Sequence, residues 1–242
     1  MLSPVTTRNI TSRCTETAEG FCMSDLVKGK VTICVVNYKT PELTKLCLRS
    51  IRKFTSYPCE ILVIDNNSQD SSLGYLRSLK WIRLIERDTS KDPDGSYSHA
   101  AALDTGLKNC DTEFFMSLHS DCFIKKQNWL DDLVNCFAGD HSIACVGSGK
   151  IESTSRLLQM LKTATDLKTF KRKLFGEPDS VGIYRYYNRT ICCLYRTEIL
   201  KRENLSFLAE RDKGLTSGQK LYFELVDRGY KTVELPESVM GQ

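Results

Sequence analysis

Three groups of polar residues follow apolar runs in the first half of the sequence. They are Asn37-Tyr38, Asp65 to Ser68, and His119-Ser120-Asp121. Ligands of open α/β sheets bind beyond the carboxyl ends of the strands, where loops and helix N-termini converge. If the apolar runs are strands of one sheet, the three groups share an edge. Their convergence predicts one binding site there.

Two common phosphate-binding loops are missing from the sequence. No G-x-G-x-x-G follows the first apolar run, and no G-x-x-x-x-G-K-S/T occurs. If phosphates bind at this edge, another group must meet their charge, and a carboxylate that holds a divalent cation can do so. Asp121 is the acid best placed for this role.

Alternating strands and helices are expected to position these groups. The predicted strands are Val31–Val36, Ile61–Ile64, Ile82–Ile85, Phe114–Leu118, Ile143–Val146, Ile191–Tyr195 and Lys231–Leu235. Four helices are predicted. The first begins at Thr40-Pro41, and the second carries Leu73, Leu76 and Leu79. The third covers about Ser98 to Asn109, and the fourth covers about Ser217 to Arg228. This alternation predicts a Rossmann-like α/β fold, with a mostly parallel central sheet and helices on both faces.

Composition and length exclude several classes of protein. The 242 residues carry 34 Lys and Arg against 30 Asp and Glu, an excess too small to indicate a nucleic-acid-binding protein. The sequence lacks an apolar run long enough to span a membrane, and its first residues lack the apolar core of a signal peptide. Its 11 cysteines contain no C-x-x-C spacing, which is typical of reduced thiols. We therefore expect a cytoplasmic protein.

The chain is expected to form a single catalytic domain over residues 30–242, after an N-terminal extension over residues 1–29. From Ser153 to Phe175 an apolar stripe alternates with basic residues. The ordinary interpretation is an amphipathic helix with a solvated face. The alternative is peripheral contact with anionic lipid at the inner membrane face, near a lipid-linked acceptor.

Several of these segments carry a family resemblance. They are Val31–Tyr38, Cys47–Ile51, Ile64–Asp70, Ala102–Leu107 and Phe114–Asp121, with weaker likeness in Leu194–Arg196 and Leu225–Leu235. In order and spacing they resemble the family 2 glycosyltransferases with the GT-A fold. The resemblance implies inverting transfer of one sugar from a nucleoside diphosphate sugar, with a UDP-sugar as the expected donor. The acceptor would be a hydroxyl of a glycan, a glycolipid or a polysaccharide precursor.

The resemblance also implies roles for single residues. Val36, Asn37, Tyr38, Asp65 and Ser68 look like the nucleotide-binding wall, with Asp65 accepting a hydrogen bond from the base. Asp104 stands where the family usually has Asn. Asp121 looks like the last carboxylate of the Asp-x-Asp motif, which ligates the Mn²⁺ or Mg²⁺ that bridges the two phosphates. Ser120 precedes it, and His119 replaces the first Asp, where it could contact the ribose or the metal.

An acid pair that the family commonly carries near its last helix is missing. The corresponding stretch, Thr216 to Lys220, contains no acid. Inverting transfer needs a base within hydrogen-bond reach of the acceptor hydroxyl. The nearest upstream acids are Glu210 and Asp212, and we expect one of them to be the base, Asp212 being closer to the helix.

Other functions are compatible with parts of this pattern. His119 and the missing acid pair also fit a non-catalytic relic that binds nucleotide-sugar without turning it over. A sugar nucleotidyltransferase shares the sheet but needs a glycine-rich loop after the first strand, which Asn37 to Pro41 is not. The sequence leaves the oligomeric state open.

Each candidate residue also has a purely structural interpretation. Asp65 is the kind of residue that caps a turn, and His119 is compatible with a partly buried histidine. Asp104 fits a helix surface, and Glu210 and Asp212 fit a solvated charged stretch. For Asp65, the convergence of the strand ends favours the ligand role.

Overall fold

A computed structural model describes residues 25–148, 187–209 and 214–235 of the chain. The described elements are β1 (Val27–Asn37), α1 (Pro41–Phe54), β2 (Cys59–Asp65), α2 (Ser71–Ser78), β3 (Ile82–Glu86), α3 (Gly95–Lys108), β4 (Thr112–His119), α4 (Trp129–Asn135), β5 (Ile143–Ser148), β6 (Cys192–Arg196), α5 (Thr197–Arg202), α6 (Ser217–Asp227) and β7 (Lys231–Leu235).

The seven described strands form one sheet in the order β3-β2-β1-β4-β6-β5-β7. β1 pairs in parallel with β2 and β4, β2 with β3, and β5 with β7. β6 is antiparallel to both of its neighbours, β4 and β5. The sheet is therefore mostly parallel, as the alternation of strands and helices predicted.

Helices cover both faces of the sheet because the buried strands carry apolar residues on both sides. Along β1, Val31, Ile33 and Val35 face the layer of α1, α2 and α4. Cys34 and Val36 face the layer of α3, α5 and α6. None of the described helices combines the length and the apolar composition that crossing a membrane requires.

The antiparallel β6 begins at the edge of the sheet at which β5 ends. The backbone N of Arg189 donates to the carbonyl of Ser148, the last residue of β5, at 3.1 Å. The backbone N of His119 donates to the carbonyl of Ile191 at 2.8 Å, beside the start of β6. The chain thus leaves and re-enters the sheet at its carboxyl edge.

Some element boundaries differ from the sequence prediction. β1 begins at Val27, inside the segment assigned to the N-terminal extension, because Val27 pairs with Thr112 ahead of a register shift. α3 begins at Gly95 rather than Ser98, since the Asp94 side chain accepts from the backbone N of Tyr97 and caps the helix. The Ser153 to Phe175 segment lies outside the described residues, and the division into extension and domain stays a prediction.

Gly106 allows α3 to pack closely against β1. A Cβ at this position would lie 2.5 Å from Cys34 Sγ and 3.3 Å from the ring of Phe115. We expect Gly106→Ala to lower the free energy of unfolding by about 1–3 kcal/mol, because overpacking outweighs the helix propensity of alanine. Urea unfolding measures this, and Cys34→Ala in the same chain is expected to recover most of the loss.

Gly74 provides the matched control for this prediction. It lies in α2, and nothing stands within 4 Å of a Cβ built on it. Gly74→Ala is expected to leave the free energy of unfolding unchanged or to raise it by up to about 1 kcal/mol. Equal effects of the two substitutions would contradict close packing at Gly106.

Candidate functional site

Asn37, the last residue of β1, is the centre of a buried polar network. Its Nδ2 donates to Asp65 Oδ1 at 2.6 Å, and to the hydroxyls of Ser68 and Ser72, both at 2.9 Å. Its Oδ1 accepts from the hydroxyl of Thr44 at 2.6 Å. Buried polar groups of this kind must find partners inside the protein. The network therefore fixes the end of β1 to the end of β2 and to the first turns of α1 and α2.

The carboxylate of Asp65 closes the turn that follows β2. Its Oδ2 accepts from the backbone N of Ser68 at 3.0 Å, and its Oδ1 accepts from the Ser68 hydroxyl at 2.6 Å. Asp65, Asn37 and Ser68 are all fully buried. These three residues support the site from behind, as the structural interpretation of Asp65 predicted. The base contact expected of Asp65 stays a prediction.

A pocket with a volume of about 540 Å³ opens in front of this network. That volume is typical of sites for small molecules and cofactors. It lies at the carboxyl ends of β1, β2 and β4 and at the N-terminus of α3. Its lining residues are Val36, Tyr38, Thr40, Leu43, Asn66, Thr89, Asp92, Asp94, Gly95, Ser98, His99, His119, Ser120 and Asp121.

The structure brings five of the predicted site residues together in this pocket. They are Val36, Tyr38, His119, Ser120 and Asp121. A hydrogen bond between the hydroxyls of Thr40 and Ser120, at 3.3 Å, joins the segment after β1 to the segment after β4.

Asp104, another predicted site residue, lies away from the pocket. The Asp104 carboxylate, on α3, accepts from the Ser206 hydroxyl at 2.6 Å and from the backbone N of Phe207 at 2.7 Å. Burial is the main influence on the pKa of Asp104 and raises it, against the opposing effect of these hydrogen bonds. Asp104 is not among the lining residues and ties α3 to the segment after α5. Glu210 and Asp212 lie outside the described residues.

The acid-free stretch at the start of α6 forms a helix cap. The Thr216 hydroxyl accepts from the backbone N of Gln219, while Gln219 Oε1 accepts from the backbone N of Thr216. This reciprocal pair is a capping box. Gln219 therefore has a structural function at the position where the family resemblance led us to look for an acid.

Two histidines stand side by side at the pocket. The rings of His99 and His119 meet edge to face, with 4.6 Å between centroids. Burial, and secondarily the proximity of His119, lowers the pKa of His99 to about 4. Burial also lowers the pKa of His119, against the opposing effect of Asp121. Both imidazoles are therefore neutral at pH 7, and neither Nε2 has a hydrogen-bond partner within the described residues.

Asp121 and His119 form a donor pair that suits an open cation site. His119 Nδ1 lies 3.9 Å from Asp121 Oδ1, and the Asp121 side chain is 64% exposed. Within the described ranges, no group of three or more His, Cys, Asp or Glu is arranged to hold a metal ion. Mg²⁺ commonly binds to one or two carboxylates together with substrate phosphates. The residues thus fit an ion that arrives with a diphosphate.

One wall of the pocket, formed by the β3–α3 loop and the first turn of α3, was not predicted from the sequence. This wall includes Asp92, Ser98 and His99, and Asn66 adjoins it from the end of β2. The Asp94-Gly95 pair that begins α3 was the available signal, since helix N-termini converge on this edge. The loop itself has no periodicity that a sequence pattern could detect.

Comparison with known proteins relates this architecture to enzymes that handle nucleotide-sugars. The sequence profile described as Glycosyl transferase family 2 matches residues 32–202. The chain is 23% identical, over 222 residues, to the O-antigen chain rhamnosyltransferase RfbN of Salmonella typhimurium. That alignment covers 87% of this chain and 65% of the relative.

Solved structures show the same fold at low identity. Mannosyltransferase PcManGT from Pyrobaculum calidifontis, in complex with GDP-Man and Mn²⁺, has a TM-score of 0.58 and 19% identity, covering 86% of this chain and 55% of that one. S. aureus TarS 1-349 in complex with UDP-GlcNAc has a TM-score of 0.51 and 20% identity, and the match covers 88% of this chain and 61% of that one. The chain thus spans less than two thirds of each protein. The likeness confirms the GT-A fold predicted from the sequence.

Proposed function

Because the chain belongs to glycosyl transferase family 2, we propose that it transfers one sugar from a nucleoside diphosphate sugar to a hydroxyl acceptor. The observation that most supports this is that Tyr38, Asn66 and Asp121 line the same pocket. The aromatic ring suits the face of a base or a ribose, the amide suits the edge of a base, and the carboxylate suits a cation-bound diphosphate. Such side chains converge at the carboxyl ends of parallel strands, where this class of sheet binds ligands.

The donor is proposed to lie with its base toward β2 and β3 and its diphosphate toward β4. Tyr38 is 54% exposed at the pocket, so its ring offers a face to a base or a ribose. Asn66 lines the pocket beside Asp65, although only 3% of it is exposed, and we propose that its amide meets the base. A UDP-sugar is the proposed donor, although the solved relatives were crystallised with nucleotides of different bases.

We propose that Asp121 and His119 hold Mn²⁺ or Mg²⁺ next to the diphosphate. Such an ion, when bound, neutralises the charge that develops on the departing diphosphate. Asp121 supplies a charged oxygen, and His119 supplies a neutral ring nitrogen, because burial keeps its pKa low. The PcManGT complex contains Mn²⁺.

Inversion requires a base on the side of the sugar opposite the diphosphate. We propose that Asp212 or Glu210 takes the proton of the acceptor hydroxyl as its oxygen attacks the anomeric carbon. Both follow the segment that Asp104 holds through Ser206 and Phe207. Lys220 adds a contact to this segment, since its Nζ donates to the Ser206 carbonyl at 3.1 Å.

The acceptor is proposed to be a glycan, a glycolipid or a polysaccharide precursor. The relative RfbN is a rhamnosyltransferase of the O-antigen chain, which is a polysaccharide. We further propose a cytoplasmic protein, with peripheral membrane contact through the basic segment from Ser153 to Phe175.

Thermal unfolding with UDP, GDP, dTDP and CDP, each with and without Mn²⁺, tests this proposal. We expect one nucleotide to raise Tm by roughly 5–10 °C at 100 times its Kd, and only with Mn²⁺ present. Hydrolysis or transfer of the matching sugar should follow. No metal-dependent shift for any nucleotide would overturn the proposed function, and tight binding without turnover across many acceptors would favour the relic.

A further inference from the structure

Arg87 joins the three segments that form the base end of the pocket. Its Nη1 donates to Asn66 Oδ1 at 2.6 Å and to the carbonyl of Ser98 at 3.0 Å. Its Nη2 lies 3.1 Å from Asp92 Oδ2 and 3.5 Å from Asp92 Oδ1. Asn66, Asp92 and Ser98 line the pocket. One guanidinium therefore holds the end of β2, the β3–α3 loop and the first turn of α3.

The Arg87 side chain lies behind the pocket wall. It is 13% exposed and its partner Asp92 is 10% exposed. The backbone N of Arg87 also donates to the Asp65 carbonyl at 2.8 Å, which anchors the residue to the end of β2. A planar guanidinium can reach several acceptors in fixed directions at once, whereas a lysine ammonium acts as a point charge.

The contacts of Arg87 settle the orientation of the Asn66 amide. Oδ1 must face the guanidinium, because an NH₂ group in its place would point its own N–H bonds at the donor Nη1. Nδ2 in turn donates to the Ser98 carbonyl at 3.1 Å. One N–H and one oxygen lone pair of the Asn66 amide therefore remain for a ligand, and the positions of this donor and this acceptor are fixed. A base edge with the complementary order can pair with it, and a base edge with the reverse order cannot.

Arg87 also compensates a charge beside the site of an anionic ligand. Asp92 and Asp121 line the same pocket, and a nucleoside diphosphate is itself negative. Asp121 suits a cation, but Asp92 has the guanidinium as its counter-charge. Without Arg87, Asp92 would be an unpaired carboxylate facing the ligand.

From this geometry we propose that Arg87 is a positioning residue that sets nucleobase selectivity. It acts through the fixed amide of Asn66 and the fixed β3–α3 loop, and it does not touch the reacting atoms. The inference rests on the proposed function, which puts the nucleobase at this end of the pocket.

Binding of UDP, CDP, GDP and ADP with Mn²⁺, measured by calorimetry, tests the inference. UDP and CDP have the same shape but reverse the order of donor and acceptor on one edge of the base, and so do GDP and ADP. In the wild type we expect Kd to differ by about 10-fold or more within at least one pair. Arg87→Met and Arg87→Lys should each reduce that ratio to within about 3-fold. With the matching sugar donor, KM should rise about 10-fold and kcat should change little.

Two further variants separate positioning from charge and from general damage. Arg87→Met combined with Asp92→Asn restores the charge balance without the fixed amide, so selectivity should remain low. Arg77→Met is the matched control, because Arg77 pairs with Glu86 through two short bonds but is 59% exposed on α2. It should leave the Kd ratios unchanged.

The outcomes distinguish the inference from the proposed function. If Arg87→Met does not fold, Arg87→Lys decides the question. Two results would overturn the role of Arg87 without contradicting the proposed glycosyl transfer. One is a wild-type Kd ratio near one within both nucleotide pairs, and the other is an unchanged Kd ratio in the folded Arg87 variant. A wild type that binds none of the four nucleotides would overturn the proposed function and this inference with it.

Discussion

Asp121→Asn is expected to remove the Mn²⁺-dependent part of nucleotide binding and to lower kcat/KM by about 100- to 1000-fold. The substitution keeps the shape of the side chain and removes its charge, and losses of this size are typical when an electrostatic stabiliser is deleted. Because the side chain is 64% exposed, the free energy of unfolding should change by less than about 0.5 kcal/mol. Nucleotide titrations with and without Mn²⁺ measure the first effect independently of turnover.

Asp132→Asn is the control for Asp121. Asp132, on α4, is a partly exposed carboxylate that pairs with Lys126 and is not among the residues that line the pocket. The Asp132→Asn variant should bind nucleotide and turn over substrate as the wild type does. If Asp121→Asn retains its metal-dependent affinity, the proposed cation site is wrong, whatever the activity of the variant.

Asn37→Leu is expected to lower the free energy of unfolding by about 3–5 kcal/mol. The leucine cannot donate to Asp65, Ser68 and Ser72 or accept from Thr44, so several buried polar groups lose a partner together. Urea unfolding followed by circular dichroism measures the change. An effect on nucleotide affinity without an effect on stability would instead make Asn37 a direct ligand contact.

Asn109→Leu provides the comparison for this prediction. The Asn109 side chain makes an exposed hydrogen bond to the Thr105 carbonyl at the end of α3. Its loss should cost less than about 1 kcal/mol. A similar cost for both asparagines would contradict the central role of the Asn37 network.

The architecture could be predicted because regular strands and helices leave a periodic pattern. β1 is apolar on both faces, and helices follow the strands at regular intervals, which together determine a parallel sheet. Strand direction in the second half was not available from the sequence, because the residues of β6 would have the same pattern in either direction. The early start of β1 depends on its pairing with Thr112, which is distant in sequence.

The site could be predicted only in part, for a similar reason. The rule that ligands meet strand ends correctly selected Tyr38, His119 and Asp121 as pocket residues. It selected Asp65, which is fully buried, and not its neighbour Asn66, which lines the pocket, because the sequence does not say which of two adjacent polar residues reaches a pocket. Asp104 has its partners about a hundred positions away, so its structural contact was invisible to local reasoning.

The return of the chain at β6 bears on how such a protein diversifies. Ser148 and Arg189 are joined by a backbone hydrogen bond, so the two ends of the intervening stretch are neighbours in space. Because the two ends are held together, a change in the length of chain between them need not move β5 and β6 apart, and loop closure between neighbouring ends costs little extra with length. The pairing of β5 with β6 is thereby insulated from insertions and deletions at this point of the chain.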